Sequence, residues 1–161
     1  NNDGPWYYEM HEVGYNYRLS NLHAAVGLAQ FEGLEHFIAA RRATAQKYAT
    51  AFSQTPEINF VQENEWARSN YWLSTVRLDP RKINIHPSEI AKKMAMSGIE
   101  VRRPFVPNHR LPPYSRFSPA YAMPVTSALY EQGLNLPSSA WMTDEQVEFV
   151  ATALAEAVKD S

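Results

Sequence analysis

With 161 residues, 45 % of them hydrophobic and 20 % charged, the sequence is long enough to bury one ordinary core and too apolar to remain disordered. A formal net charge of −2, with no run of Lys or Arg longer than two, leaves no electrostatic footprint for a nucleic-acid partner. The absence of cysteine excludes disulfides and thiolate zinc sites and fits a cytoplasmic protein, and no stretch approaches the roughly 18–20 apolar residues of a membrane span.

The first dozen residues place Asp3-Gly4-Pro5 before Trp6, Tyr7 and Tyr8, a turn signal followed by aromatics without a period, and read as an extended loop. From Ser20, an N-cap residue, to about residue 52 there is no proline, so one long helix is expected, bent near Gly33. Its first half carries two apolar faces, Leu22, Val26, Ala29 and Phe37 on one and Leu28, Phe31, Leu34 and Ile38 on the other, as in a helix buried on both sides. Past Arg41-Arg42 it becomes more polar, with Ala45, Tyr48, Ala49 and Phe52 left as a single stripe.

After Pro56 the period drops to two. Ile58 and Phe60 alternate with Asn59 and Val61, and Trp72, Ser74, Val76 and Leu78 alternate with Tyr71, Leu73, Thr75 and Arg77, predicting two antiparallel strands. Pro87 in a first turn, Ile90, Ala91 and Met94 on one face and a closing Gly98 predict a short amphipathic helix, with a third strand over 99–102. Residues 103–124 hold six of the eleven prolines together with Tyr114, Phe117 and Tyr121, and read as a long functional loop. Leu134-Asn135-Leu136-Pro137 then leads to the best-signalled helix, with a Thr143/Gln146 capping box, Asp144 and Glu145 in the first turn, and a Val147, Val150, Ala151, Leu154, Val158 stripe.

Two stretches concentrate chemistry. In Gly14-Tyr15-Asn16-Tyr17-Arg18-Leu19-Ser20-Asn21, polar donors converge just ahead of an apolar helix, where free N–H groups and the helix dipole favour an anion such as a phosphate. In Gly98-Ile99-Glu100-Val101-Arg102 and the following Pro107-Asn108-His109-Arg110-Leu111-Pro112-Pro113-Tyr114, an extended segment delivers an arginine and then a histidine seven residues on. A guanidinium fork suits a diphosphate because it gives two charge-assisted hydrogen bonds, and an imidazole can donate to a sugar hydroxyl or a phosphate. The histidines show no paired metal spacing, Lys92 and Lys93 fall on the polar face of a helix, and none of Lys47, Lys82, Lys92, Lys93 and Lys159 sits at a strand end.

The run GYNYRLSN followed by Ala24-Ala25, Gly27 and Gln30 resembles the segment after the cofactor lysine in the pyridoxal-phosphate (PLP) sugar aminotransferases of the DegT/DnrJ/EryC1/StrS family. The second stretch is similar to that family's arginine, histidine and proline-tyrosine pattern, except that Arg103 stands where some relatives have proline and Val106 replaces a frequent aromatic. The resemblance implies an α/β (α+β) fold: the small C-terminal domain of a fold-type-I PLP transferase, a short antiparallel sheet packed with helices. Residues 1–19 would be a loop from the large domain, 20–52 the connecting helix and 53–161 the small domain.

It also implies that Asn16, Arg18 and Tyr17 serve the PLP phosphate of a neighbouring subunit in a homodimer, and that Arg102, His109 and Tyr114 serve a nucleotide-linked keto-deoxysugar. The amino donor would be glutamate and the acceptor position C4. The Leu111-Pro112 pair and Asn135-Leu136-Pro137-Ser138-Ser139 resemble most the branch acting on UDP-linked 4-keto-6-deoxy N-acetyl sugars, toward nonulosonic acids such as legionaminic acid. The lysine that carries PLP lies upstream of the first motif in that family. The chain alone is therefore expected to be catalytically inactive and not to retain PLP stably. Relatives that carry histidine in place of that lysine are sugar dehydratases, so that activity stays open at this stage, as does a stand-alone assembly module.

Overall fold

The computed structural model describes residue 15 and residues 17–117 and 122–159, which fall into two units, Asn1–Leu34 and Glu35–Ser161. The expectations placed on residues 1–14 and on Asn16 lie outside the described residues. In the first unit, helix α1 (Asn21–Glu32) starts where Ser20, in extended conformation, accepts a hydrogen bond from the His23 N–H (3.3 Å), with Ser20 Oγ also 2.7 Å from His23 Nδ1. The single helix expected over 20–52 is interrupted at Gly33, and α2 (Leu34–Ala51) follows. No α1 residue is buried, so Leu22, Val26, Leu28 and Phe31 contribute no core within this chain.

The second unit is organised on a three-stranded antiparallel sheet in the order β1-β2-β3, formed by β1 (Ile58–Phe60), β2 (Ser74–Leu78) and β3 (Gly133–Leu136). The period-two pattern sets the faces of β2: Ser74, Val76 and Leu78 are buried while Arg77 is exposed. Helices α3 (Pro87–Met96) and α5 (Asp144–Lys159) pack together, α3 burying Ile90 and Met94 and α5 its whole expected stripe. Both caps form as read: Pro87 opens α3 behind an N-cap His86, and Thr143 and Gln146 hydrogen-bond each other's N–H at the start of α5. From α2, Tyr48 and then Phe52 complete the core, Tyr48 stacking on Phe52 and Phe60 with centroids 6.2 and 6.4 Å apart.

The third strand is β3, not the expected segment 99–102. That segment forms a single bridge, Arg102 to Asn135, with N···O distances of 3.1 and 2.7 Å. In this register the next hydrogen-bonded pairs would join Pro104 to Gly133 and Glu100 to Pro137, and neither proline has an N–H to donate. The pairing is thereby stopped on both sides. A further difference is α4 (Pro124–Gln132), which begins where the proline-rich loop ends; Pro124 sits in its first turn, and no side chain caps it.

Gly133 joins α4 to β3 in a space without room for a side chain. A Cβ there would lie 2.5 Å from Pro104 Cγ and collide with the Leu129 carbonyl oxygen. Overpacking of this kind costs about 1–3 kcal/mol. Gly133→Ala is accordingly expected to lower the urea midpoint with an unchanged slope, and a stability within about 0.5 kcal/mol of the parent would contradict the tight junction.

Candidate functional site

Ahead of α1, Tyr15 and Tyr17 are 82 % and 90 % exposed with ring centroids 5.9 Å apart, and Arg18 and Leu19 are exposed beside them. The first turn of α1 holds no acidic residue of its own, which leaves the positive end of the helix dipole unopposed within that turn. This surface has the donors and the sign of potential that an anion needs.

In the second unit, the proline-rich segment folds into two short 3-10 turns, Asn108–Arg110 and Pro112–Phe117. The turns are closed by Arg110 N–H to the Pro107 carbonyl (2.8 Å), Leu111 N–H to Asn108 (3.1 Å) and Tyr114 N–H to Leu111 (2.9 Å). They bring His109 and Tyr114 together with Asn108, Phe117, Met123 and Thr126 around a cavity of about 430 Å³. Arg102 is not part of that cavity. It lines an open groove of about 930 Å³ with Arg41, Trp72, Asn135, Ser138 and Trp141, among others. Its guanidinium is held by the Glu100 carboxylate at 3.0 and 2.8 Å, an exposed pair.

The groove also contains residues to which the sequence reading gave no role. Arg41 has a buried Nε without a hydrogen-bond partner among the described residues. Asn135, buried in β3, accepts from the Thr75 hydroxyl at 2.8 Å, and Ser138 donates to the Trp72 carbonyl at 2.7 Å, so the floor of the groove is fixed. The only sequence signal for Arg41 is the Arg41-Arg42 pair, where the long apolar stretch turns polar.

Arg42 faces elsewhere. It grips both oxygens of Glu63 (2.8 and 2.5 Å) and the Ser69 carbonyl (2.7 Å), while Glu63 also accepts from the Ser69 N–H at 2.5 Å. Tyr71, at a positive φ of 43°, accepts from the Glu63 N–H (3.1 Å), so this network ties the loop between β1 and β2 to α2. The Arg42 guanidinium and then the Ser69 N–H pull the Glu63 carboxyl down from the usual 4.5 to about 2. A carboxyl depressed in the folded state stabilises the fold fully above its unfolded value and loses that contribution as pH falls toward 2. Unfolding free energy is thus expected to drop between about pH 4.5 and 2, and Glu63→Gln to flatten part of that drop. Asp79, held low by the Arg81 side chain and N–H, and Glu145, held low by its own N–H and then the Thr143 hydroxyl, share in the rest. Superimposable acid profiles for the parent and Glu63→Gln would contradict the assignment.

None of the lysines lines either the His109 cavity or the Arg102 groove. Lys47 pairs with Asp144, Lys92 with Glu89 at 2.8 Å, Lys82 reaches the Pro56 carbonyl at 3.4 Å, Lys93 reaches that of Ala157 at 3.3 Å, and Lys159 lies in the last turn of α5. Among the described residues no three His, Cys, Asp or Glu side chains cluster as a metal site, and no helix is long and apolar enough to cross a membrane.

The sequence model of the DegT/DnrJ/EryC1/StrS aminotransferase family matches residues 1–155. The chain belongs to that family. A GDP-perosamine synthase of Vibrio cholerae is 32 % identical over 142 residues, covering 88 % of this chain and 38 % of the relative. The fold is shared with Helicobacter pylori PseC, an aminotransferase involved in the biosynthesis of pseudoaminic acid, at a TM-score of 0.82 and 18 % identity over 95 % of this chain and 41 % of that one. It is shared also with Streptococcus pneumoniae Spr1654, described as a sugar aminotransferase and solved in its PLP form, at a TM-score of 0.79 and 20 % identity over 98 % and 40 % of the two chains. The chain thus spans about two fifths of the length of the family members it matches.

Proposed function

We propose that this chain is the C-terminal part of a PLP-dependent aminotransferase that moves an amino group from glutamate to C4 of a nucleotide-linked keto-deoxysugar, in surface polysaccharide or nonulosonic acid synthesis. The observation that carries the reading is the family match over residues 1–155. Bound PLP supplies the electron sink through which an amino group leaves one carbon and is passed to another. This chain's share is to hold and orient. The donors before α1 fit a phosphate, so Tyr17 and Arg18, with Asn16, would bind it in a homodimer. No lysine here lines the His109 cavity or the Arg102 groove, and the lysine that carries the cofactor is assigned to the rest of the enzyme; the chain alone is inactive on this reading.

His109 and Tyr114, sharing one cavity, would donate to the sugar. Arg102, in the neighbouring groove, would take the diphosphate. It must leave Glu100 to do so, and an exposed ion pair of this kind is worth only about 0–1 kcal/mol, less than two charge-assisted bonds to a diphosphate return. The uncovered apolar faces of α1 are assigned to contact with the remaining large domain and a second copy, and the cytoplasm is the compartment that goes with a nucleotide-sugar substrate on this reading. The Vibrio cholerae relative is by name a GDP-sugar enzyme, which supports a nucleotide-linked sugar without favouring UDP.

The test is isotopic. The complete enzyme, given PLP, ¹⁵N-glutamate and a nucleotide-linked 4-keto-6-deoxysugar, is expected to release a 4-amino sugar carrying ¹⁵N. A keto sugar recovered without label, or dehydrated instead, would overturn the reading.

A further inference from the structure

We propose that Arg103 and Arg110 are positioning residues for the His109–Tyr114 cavity, fastening the loop that carries those side chains to the C-terminal end of α4. The inference rests on the substrate role proposed for that cavity. The cavity has two walls: Asn108, His109, Tyr114 and Phe117 come from the loop, whereas Met123 precedes α4 and Thr126 lies in its first turn. Its shape therefore depends on how the loop sits against α4.

Five contacts at the far end of α4 fix that relation. Arg103 Nη2 donates to the carbonyls of Tyr130 and Glu131, the latter at 3.2 Å, satisfying acceptors that the helix end leaves open. The Arg103 and Arg110 guanidinium carbons lie 5.2 and 5.8 Å from the centroid of the same Tyr130 ring. Arg110 Nη2 also donates to Glu131 Oε1 at 2.8 Å. The carboxylate and the helix-end carbonyls offset the repulsion between two cations on one ring. Arg103 Nη1 adds a bond to Ser88 Oγ at 3.3 Å, which ties the assembly to the first turn of α3.

Arg110 is the residue after His109, inside the same hydrogen-bonded turn, so the contacts of Arg110 anchor the backbone that carries the imidazole. A planar fork can lie flat on a ring while its edge N–H groups reach several acceptors, a geometry that a point-charge ammonium does not offer.

The experiment uses the complete enzyme and two readouts. Hydrogen–deuterium exchange of the peptide 105–117 should accelerate in Arg110→Ala, Glu131→Gln and Arg103→Met, while peptides of α5 keep the parent rate. The KM for the nucleotide sugar should rise roughly ten-fold with kcat and the cofactor absorbance unchanged, and the double exchange Arg110→Glu with Glu131→Arg should restore both readouts. Unchanged exchange at 105–117 would overturn the proposal, as would faster exchange with an unaltered KM. A double exchange that recovers none of the loss of the single Arg110→Glu variant would also overturn it, since the Arg110–Glu131 pair would then not be what holds the loop. If the enzyme turns over no nucleotide sugar, the functional reading fails, and the exchange data alone decide whether the two arginines hold the loop.

Discussion

Tyr48→Ala is expected to destabilise the protein by about 3–5 kcal/mol, the range for removing a buried aromatic ring, whereas Tyr48→Phe should cost only about 0.5–1.5 kcal/mol for one hydrogen bond. Tyr48 is fully buried, stacks between Phe52 and Phe60, and donates its hydroxyl to the Pro137 carbonyl at 3.1 Å. It thereby joins α2, the β1 edge of the sheet and the segment after β3. Burial pushes the Tyr48 hydroxyl well above the usual tyrosine range, so it remains the donor across working pH. Equilibrium urea unfolding of the two variants separates ring packing from the hydrogen bond, and equal losses in both would show that the hydroxyl, not the ring, holds this junction.

The second large effect concerns the division of labour. Loss of a charge-assisted hydrogen bond of about 1.5–3 kcal/mol should weaken cofactor retention in Arg18→Ala of the complete enzyme roughly ten- to a hundred-fold. His109→Ala should instead raise the KM for the nucleotide sugar by a similar factor and leave the PLP spectrum intact. Their structural settings differ accordingly: Arg18 is exposed beside a helix N-terminus with no acidic first turn, and His109 is half-buried in a cavity with Tyr114. Loss of cofactor in His109→Ala, with only substrate affinity lost in Arg18→Ala, would reverse the assignment.

The parts of the fold legible in the sequence are those where one face is buried and the other wet. The α5 stripe from Val147 to Val158, the α3 pair Ile90 and Met94, and the alternation along β2 all read directly, because burial at those positions follows the period of the element. β3 escaped for the opposite reason. All four of its residues, Gly133 to Leu136, are buried, including the polar Asn135, so no alternation marks it. α4 was hidden by Val125, Thr126 and Ser127, weak helix formers with no capping side chain before them.

The candidate site shows the same division. The local turn signals around Pro107, Pro112 and Pro113 mark a loop that gathers His109 and Tyr114. That Arg102 faces a separate groove follows from its bridge to Asn135, a long-range pairing invisible to local pattern.

On the proposed reading this chain orients cofactor and substrate while the lysine that carries PLP lies outside it. Borohydride reduction of the PLP-loaded complete enzyme, followed by peptide mapping, tests that most directly. The account predicts stoichiometric label on one lysine outside residues 1–161 and none on Lys47, Lys82, Lys92, Lys93 or Lys159. Label on any of those five, or a complete enzyme that takes no label, would contradict it.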